Sequence, residues 1–120
     1  MFPIRVQPKK FYGQMGEDKF VYEHFFLNKR NGIFLEMGAY DGVTYSNTKF
    51  FEDSMGWTGI LIEPVPEYAA NAKRVRTRSL VYNCAVTQDL NPVDIYVNHA
   101  VSSVKDHTTE EYYRGWHSVS

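Results

Sequence analysis

Short apolar runs separated by longer mixed stretches organise most of the chain. The run Ile33-Phe34-Leu35 predicts a buried strand, and the run Thr58 to Glu63 predicts a second one, closed by Pro64. A third strand is expected at about residues 80–86. Residues 93–97 alternate between apolar and polar positions after the turn residues Asn91 and Pro92, which is typical of an edge or hairpin strand.

The stretches between these runs have the spacing of helices. From Gly16 to the stop signal Asn31-Gly32, apolar positions recur every three or four residues and predict a helix with one buried face. That face would contain Phe20, Val21, His24, Phe25 and Leu27. Glu17 and Asp18 fall in the first turn, where the helix dipole favours negative charge.

Two further helices are predicted. One covers about residues 46–54, with Phe50 and Phe51 facing inward, and ends at Met55-Gly56. The other begins at Pro66, a residue suited to the first helical position, and runs to about Arg76.

The alternation of strands and helices predicts the fold class. A strand–helix–strand–helix–strand order at this spacing favours an α/β, Rossmann-like fold with a doubly wound parallel sheet. A chain of 120 residues is long enough for one domain. We expect an N-terminal arm at residues 1–12, the α/β domain at residues 13–104 and an irregular tail at residues 105–120.

Composition and charge narrow the class of protein. The net charge of −1 and the absence of a basic stripe do not favour nucleic-acid binding. Cys84 is the single cysteine, so the chain forms no internal disulfide and no cysteine-based zinc site, and no metal is expected. No apolar run reaches the length of a signal peptide core or a membrane span, so a cytoplasmic location is the expectation.

The turn after the first strand is the first candidate for chemistry. Gly38 and Gly42 would lie at the carboxyl end of a parallel sheet, where ligands of doubly wound folds bind. Glycine there either lets the backbone approach a ligand or simply serves an ordinary turn. Ala39 and Tyr40 occupy the middle of the motif, so the spacing differs from the Gly-x-Gly-x-x-Gly of dinucleotide sites.

Two acids flank this turn. Glu36 ends a buried strand and needs a cationic or hydrogen-bonding partner, which the ammonium group of a ligand would provide. Glu63 ends the second strand and is placed to accept hydrogen bonds from both hydroxyls of a ribose, or alternatively to cap the next helix as a solvated acid. An acid at each place suits a nucleoside that carries an amino acid, which is the shape of S-adenosylmethionine.

Four segments stand out together: Gly13-Gln14-Met15-Gly16-Glu17-Asp18, Phe34 to Gly42, Ser46-Asn47-Thr48, and Gly56 to Pro64. In order and spacing, over roughly residues 11–97, they resemble a known family, the FkbM methyltransferases. Family members begin the first segment with Ser-Gln, where this chain has Gly13. The resemblance implies a class I methyltransferase fold that uses S-adenosylmethionine, and O-methylation of a hydroxyl on a sugar or small natural product.

The resemblance also implies a set of cofactor-binding residues. The methionine and ribose end of the cofactor would lie against Glu36, Gly38, Ala39, Tyr40, Asp41 and Gly42. Glu63 would hold the ribose hydroxyls, Pro64 would lie beside the adenosine, and Asn83, Cys84 and Ala85 would approach the adenine. Asn47 is a further candidate, although Ser46 and Asn47 also suit helix caps.

Other polar residues have structural interpretations. Glu17 and Asp18 suit either helix capping or a ligand contact, and no catalytic base is identified. Arg74, Arg76 and Arg78 are expected at the solvated end of the third helix, and the thiol of Cys84 in the core. The remaining candidates are expected to carry no metal or triad chemistry: His24, His99, Ser102, Ser103, His107 and His117.

The family's later motifs, an Asp-Asp-Leu-like segment and an Asp-x-Glu-Gly strand, are not found in this chain. We therefore expect a truncated fold, a βαβαβ unit plus a hairpin strand, whose first strand is an apolar edge covered by a partner or a second copy. A non-catalytic fragment is one alternative function. A nicotinamide-dependent oxidoreductase is another, although the glycine spacing argues against it.

Overall fold

A computed structural model describes residues 9–97 and, for the backbone only, residues 103–104. Helix α1 spans Glu17–Phe25, strand β1 Ile33–Met37, helix α2 Lys49–Met55 and strand β2 Thr58–Ile62. Helix α3 spans Pro66–Val75 and strand β3 Leu80–Tyr82. A separate hairpin pairs β4, Ile95–Tyr96, with β5, Ser103–Val104.

The three longer strands form one parallel sheet in the order β1-β2-β3. Leu35 lies opposite Ile60 and Glu36 opposite Leu61, and on the other side of β2 Leu61 lies opposite Val81. Helix α2 connects β1 to β2 and α3 connects β2 to β3. The predicted α/β fold with its βαβαβ order and parallel sheet is therefore confirmed, and so is the antiparallel strand expected at residues 93–97.

An aromatic cluster between the sheet and helices α1 and α2 forms the core. Tyr22 of α1, Phe50 and Phe51 of α2, and Trp57 before β2 are each buried to more than nine tenths. The indole Nε1–H of Trp57 donates a hydrogen bond to the carbonyl of Lys29, 2.9 Å away, so this buried ring leaves no donor unsatisfied. The inward orientation predicted for Phe50 and Phe51 is confirmed.

Residues of the predicted N-terminal arm pack on this core. The ring of Phe11 lies 4.4 Å from that of Phe50, centroid to centroid. The backbone N–H of Tyr12 donates to the buried carboxylate of Asp18, at 2.7 Å. Asp18 therefore attaches residues 11 and 12 to the first turn of α1, which is a structural function.

Helix α1 differs from its prediction in length and in its buried face. It ends at Phe25, not at Asn31-Gly32, and Phe20, Phe25 and Leu27 are exposed. The face turned inward contains Asp18, Tyr22 and, just after the helix, Phe26, at a spacing of four residues. Tyr22 was not among the predicted inward positions, whereas its ring is buried and its hydroxyl accepts a hydrogen bond from Lys9.

The helices cover one face of the sheet only, within the described residues. Phe34 faces the aromatic cluster, whereas its neighbours Ile33 and Leu35 point the other way and are 82% and 59% exposed. The register places further exposed residues on that outer face: Met37, Ile60, Leu80 and Tyr82. The expectation that Ile33 to Leu35 form a buried strand is wrong for Ile33 and Leu35, because no described helix covers the outer face.

The position of β1 at the edge of the sheet agrees with the sequence analysis. A partner or second copy that covers this edge stays a prediction. None of the helices in the described part of the chain is both long and apolar enough to cross a membrane.

We expect a leucine-to-alanine substitution to lower the free energy of unfolding by different amounts on the two faces of the sheet. Leu61→Ala, at a position with no exposed surface, should lower the free energy of unfolding by about 2–5 kcal/mol because it opens a cavity. Leu35→Ala on the outer face should cost less than about 1 kcal/mol, because more than half of that side chain already contacts solvent. Urea unfolding of both variants measures the difference, and equal losses would contradict this assignment of the faces.

Candidate functional site

The loop after β1 is fixed to the end of β2 by backbone hydrogen bonds. The N–H groups of Gly38 and Ala39 both donate to the carbonyl of Ile62, at 2.8 and 3.0 Å. The chain then turns, and the N–H of Gly42 donates to the carbonyl of Ala39 at 3.0 Å. The loop 38–42 therefore lies at the carboxyl ends of parallel strands, where the topology of the fold places ligands.

The two glycines of this loop have different functions. Both have left-handed backbone angles, with φ of 72° at Gly38 and 86° at Gly42. A Cβ on Gly38 would meet no other atom within 4 Å, so its backbone is open to a ligand. A Cβ on Gly42 would lie 2.9 Å from the Cα of Ala72, so Gly42 allows the loop to pack against α3. Only Gly38 fits the predicted close approach to a ligand.

Asp41 organises the second half of the loop. Its Oδ1 accepts hydrogen bonds from the backbone N–H groups of Val43 and Thr44, and its Oδ2 accepts one from the Thr44 hydroxyl. Burial alone would raise the pKa of the Asp41 carboxyl, but these hydrogen bonds outweigh it and hold the pKa below its ordinary value. The carboxylate is thus engaged in shaping the loop.

Glu63 connects the loop to the start of α3. Its side chain is buried, its Oε1 accepts the backbone N–H of Tyr40 at 2.7 Å, and its Oε2 accepts the N–H of Val65 at 2.8 Å. Burial raises the pKa of the Glu63 carboxyl, an effect that these two hydrogen bonds oppose. Because Val65 directly precedes α3, this hydrogen bond agrees with the alternative in which Glu63 caps that helix. The solvated environment expected in that alternative is wrong, since Glu63 is buried.

The carboxylate of Glu36 is surrounded by groups of this chain. It accepts hydrogen bonds from the backbone N–H of Asn47 and from the hydroxyls of Ser46 and Thr48, at 2.9 to 3.2 Å. One of its oxygens also lies 3.6 Å from Nη1 of Arg76. This chain therefore provides the partners that a buried acid at the end of β1 requires. The expectation that the ammonium group of a ligand provides them is corrected accordingly.

Arg76 contradicts the prediction of a solvated basic run. Arg74 and Arg78 are exposed, but the side chain of Arg76 has no exposed surface. Its Nη1 donates to the carbonyl of Gly42 and the hydroxyl of Ser46, and its Nη2 donates to the hydroxyl of Thr48. The helix ends at Val75, which turns the next side chain back beneath the loop.

Glu52 completes this buried cluster. Its Oε1 lies 3.2 Å from Nε of Arg76, without the alignment of a hydrogen bond, and it accepts a hydrogen bond from the hydroxyl of Ser79. Neither the burial of Glu52 nor that of Arg76, the residue beneath the loop, was predicted from the sequence. The available signal was the position of Glu52 beside two inward phenylalanines, which predicted burial and hence a need for a cation.

The start of α2 supports the capping interpretation for Ser46. Its hydroxyl oxygen accepts the backbone N–H groups of Thr48 and Lys49, at 3.3 and 3.1 Å. The side chain of Asn47 is exposed, and its described contact with the cluster is the backbone N–H on Glu36.

The residues expected near an adenine lie after β3. The strand ends at Tyr82, earlier than predicted, so that Asn83 and Cys84 are exposed in the following segment and Ala85 is half-buried. The amide of Asn83 donates to the carbonyls of Glu63 and of the half-buried Pro64, both at 2.9 Å, and so links the ends of β3 and β2. The expectation of a core thiol at Cys84 was wrong, because β3 is too short to carry it into the sheet.

An open cleft of about 540 Å³ lies on the α3 side of the loop. The rings of Tyr40 and Tyr68 meet edge to face at its wall, 4.6 Å apart. Its remaining lining residues are Asp41, Glu67, Ala70, Asn71 and Arg74. We refer to it as the Tyr40 cleft.

The histidines add nothing to the site within the described residues. His24 is exposed, stacks on Phe20, and places Nδ1 2.9 Å from the carbonyl of that residue. His24 therefore lies at the surface and not on the inward face of α1. His99, Ser102, His107, His117 and the side chain of Ser103 lie outside the described residues.

Comparison with protein families places these features in a known context. The model of the methyltransferase FkbM domain matches residues 36–118, more than half of the chain. The match begins at Glu36 and includes the loop 38–42, Glu63 and Asn83. No curated protein and no solved structure matches the chain.

The different environments of the two glycines predict different effects on stability. Gly38→Ala should lower the free energy of unfolding by about 1–2 kcal/mol, the cost of a left-handed backbone at a residue with a Cβ. Gly42→Ala should cost about 1–3 kcal/mol more, because the added Cβ also collides with Ala72. Urea unfolding measures both values, and a Gly38 variant as unstable as the Gly42 variant would contradict the open position of Gly38.

The lowered pKa of Asp41 predicts a pH-dependent contribution to stability. At neutral pH, Asp41→Ala should lower the free energy of unfolding by about 1–2 kcal/mol through loss of the hydrogen bonds to the carboxylate. Because the folded-state pKa lies below the unfolded one, this contribution is present above the unfolded pKa and is lost as the pH falls through the folded pKa.

The difference in free energy of unfolding between the wild-type protein and the Asp41→Ala variant should therefore become smaller as the pH is lowered from about 5 to about 2. Asp94→Ala, at an exposed acid, is the matched control and should show little gap at any of these pH values. A gap for Asp41→Ala that stays constant across this pH range would count against the assignment.

Proposed function

This chain belongs to the FkbM methyltransferase family, and on that premise we propose that it binds S-adenosylmethionine at the loop 38–42 and transfers its methyl group to a hydroxyl acceptor. The observation that carries the proposal is the buried carboxylate of Glu63 beside a loop whose first glycine is open to a ligand. These two features distinguish the loop from an ordinary connection between a strand and a helix.

The chemistry of Glu63 fits a ribose. A carboxylate has about four acceptor positions, and the N–H groups of Tyr40 and Val65 use one on each oxygen. One position on each oxygen remains for a vicinal diol, which donates two hydrogen bonds. The surrounding burial strengthens such bonds, since there is little water to compete for the oxygens.

The residues of the loop fit the other parts of the cofactor to different degrees. Gly38 offers an open backbone to the methionine portion, whereas Gly42 and Asp41 act by shaping the loop. Ala39 is buried, and Tyr40 presents its N–H to Glu63. Glu36 has four donors of its own chain around it, so we assign it an indirect role in place of a direct contact with the ligand ammonium.

The base end of the nucleoside would lie near the junction of β2 and β3. Asn83 holds the carbonyls of Glu63 and Pro64 together there, and Cys84 and Ala85 follow. The exposure of Asn83 and Cys84 leaves room for a planar ring at this place. Asn47 contributes through its backbone N–H on Glu36 and not through its side chain.

The reaction asks little acid–base chemistry of the protein. When bound, S-adenosylmethionine supplies a sulfonium whose methyl group is already activated for attack by an oxygen nucleophile. The loop and Glu63 hold the nucleoside in one orientation, which is the part of the alignment that these residues contribute. A sugar or small natural product is the acceptor that the family resemblance suggests.

Binding of S-adenosylhomocysteine, measured by isothermal titration, tests the proposal. The wild-type protein should bind it, and Glu63→Gln should weaken binding at least about tenfold, because one charged acceptor becomes an amide donor. Glu67→Gln makes the same change of charge at an exposed acid in the Tyr40 cleft and should alter affinity less than about twofold.

Two results would overturn the proposal. One is a folded wild-type protein that does not bind S-adenosylhomocysteine. The other is a larger loss with Glu67→Gln than with Glu63→Gln, which would place the ligand in the Tyr40 cleft. Titration with NAD addresses the oxidoreductase alternative, for which binding of NAD in place of S-adenosylhomocysteine is the expected result.

A further inference from the structure

The buried arginine of the site contacts the proposed cofactor loop and the segments on either side of it. Nη1 of Arg76 reaches the carbonyl of Gly42 at 3.1 Å and the hydroxyl of Ser46 at 3.2 Å. Nη2 reaches the hydroxyl of Thr48 at 2.8 Å, and Nη1 also faces Glu36. A single side chain from the end of α3 thus connects the end of β1, the loop and the start of α2.

We propose that Arg76 is a positioning residue for cofactor binding, which holds the loop 38–42 in its binding shape through Gly42 and Glu36. The inference rests on the proposed function, since it assigns a role at the same site. Arg76 itself has no exposed surface and touches no ligand directly.

The shape of the guanidinium explains why an arginine occupies this position. Its planar fork points nitrogens in three directions: here Nη1 donates to Gly42 and Ser46, Nη2 donates to Thr48, and Nε lies beside the carboxylate of Glu52. A lysine ammonium at the same place retains the charge but concentrates its donors at one point. A lysine at position 76 is therefore expected to keep the contacts in one of these directions and to lose the contacts in the other two.

The hydroxyls around Glu36 transmit the position of Arg76 to the loop. Ser46 and Thr48 each accept a hydrogen bond from Arg76 and donate one to Glu36. Glu36 in turn accepts the backbone N–H of Asn47. Displacement of the guanidinium would consequently shift both the Gly42 carbonyl and the segment 46–48 that follows the loop.

A purely structural function makes a different prediction. Buried ion pairs contribute little net stability, but removal of one partner leaves a costly unpaired charge. Glu52 lies on the far side of Arg76, contacts Ser79, and has no described contact with the loop. Glu52→Gln therefore removes one charge of the same cluster without touching the loop, and serves as the matched control.

Titration with S-adenosylhomocysteine compares Arg76→Lys with Glu52→Gln, at a temperature where urea unfolding shows both variants to be folded. Arg76→Lys should weaken binding at least about tenfold, because small displacements of a preorganised loop have large effects. Glu52→Gln should change affinity less than about threefold, because it alters the cluster on the side away from the loop and leaves Arg76 facing Glu36. Equal losses of affinity in the two variants, or unchanged affinity in Arg76→Lys, would overturn the proposal.

Amide hydrogen exchange of the free protein separates this proposal from the proposed function. Arg76→Lys should accelerate exchange at Gly42 and Ser46, whose N–H groups bond to Ala39 and Val43, more than Glu52→Gln does. This result is expected even if the wild-type protein does not bind S-adenosylhomocysteine, which would overturn the proposed function alone. Equal acceleration in both variants would overturn the positioning role.

Thr48→Val provides a second variant if Arg76→Lys does not fold. It preserves the volume of the side chain and removes the hydroxyl between Arg76 and Glu36. Faster exchange at Gly42 and Ser46, with binding weakened at least about threefold, supports the proposal. Wild-type exchange and affinity in Thr48→Val would overturn it.

Discussion

The buried guanidinium of Arg76 between Glu36 and Glu52 is the constraint on which the arrangement of the site depends. Burial of a carboxylate is costly without a partner, and in the described part of the chain Arg76 is the cation beside both acids. The two acids come from β1 and α2, and the arginine follows α3, so both βαβ units must be in place before the arginine can face both acids. The cluster therefore ties the local geometry of the loop to the completed fold.

Glu36 and Glu63 both lie at the ends of strands, but their carboxylates differ in how many hydrogen-bond donors surround them. Glu36 accepts hydrogen bonds from residues 46–48 and faces Arg76, whereas among the described residues Glu63 accepts from two backbone N–H groups. Acceptor capacity thus remains at Glu63 and is nearly exhausted at Glu36. The glycines divide in the same way, since Gly38 is open and Gly42 packs on Ala72. A ligand is therefore expected on the side of Gly38 and Glu63.

The sequence was sufficient for the order of strands and helices, because period and turn signals are local properties. It was not sufficient for the buried face of α1, since a tyrosine such as Tyr22 is compatible with either environment. Nor did it distinguish Arg76 from its exposed neighbours Arg74 and Arg78. That distinction depends on where α3 ends and on a carboxylate 40 positions earlier in the chain, and neither is visible in a local pattern.

The prediction that Glu36 needs a compensating partner was correct, but the partner is Arg76 with its neighbours and not the ammonium group of a ligand. A carboxylate that ends a strand next to a glycine turn must be compensated, and the sequence shows that need without showing the source. When the source is a ligand, the loop is free to move in its absence. Because the source is Arg76, which contacts Gly42 and Ser46 in the ligand-free chain, the proposed binding would require less ordering of the loop. A preorganised loop of this kind is what alignment of a methyl donor requires.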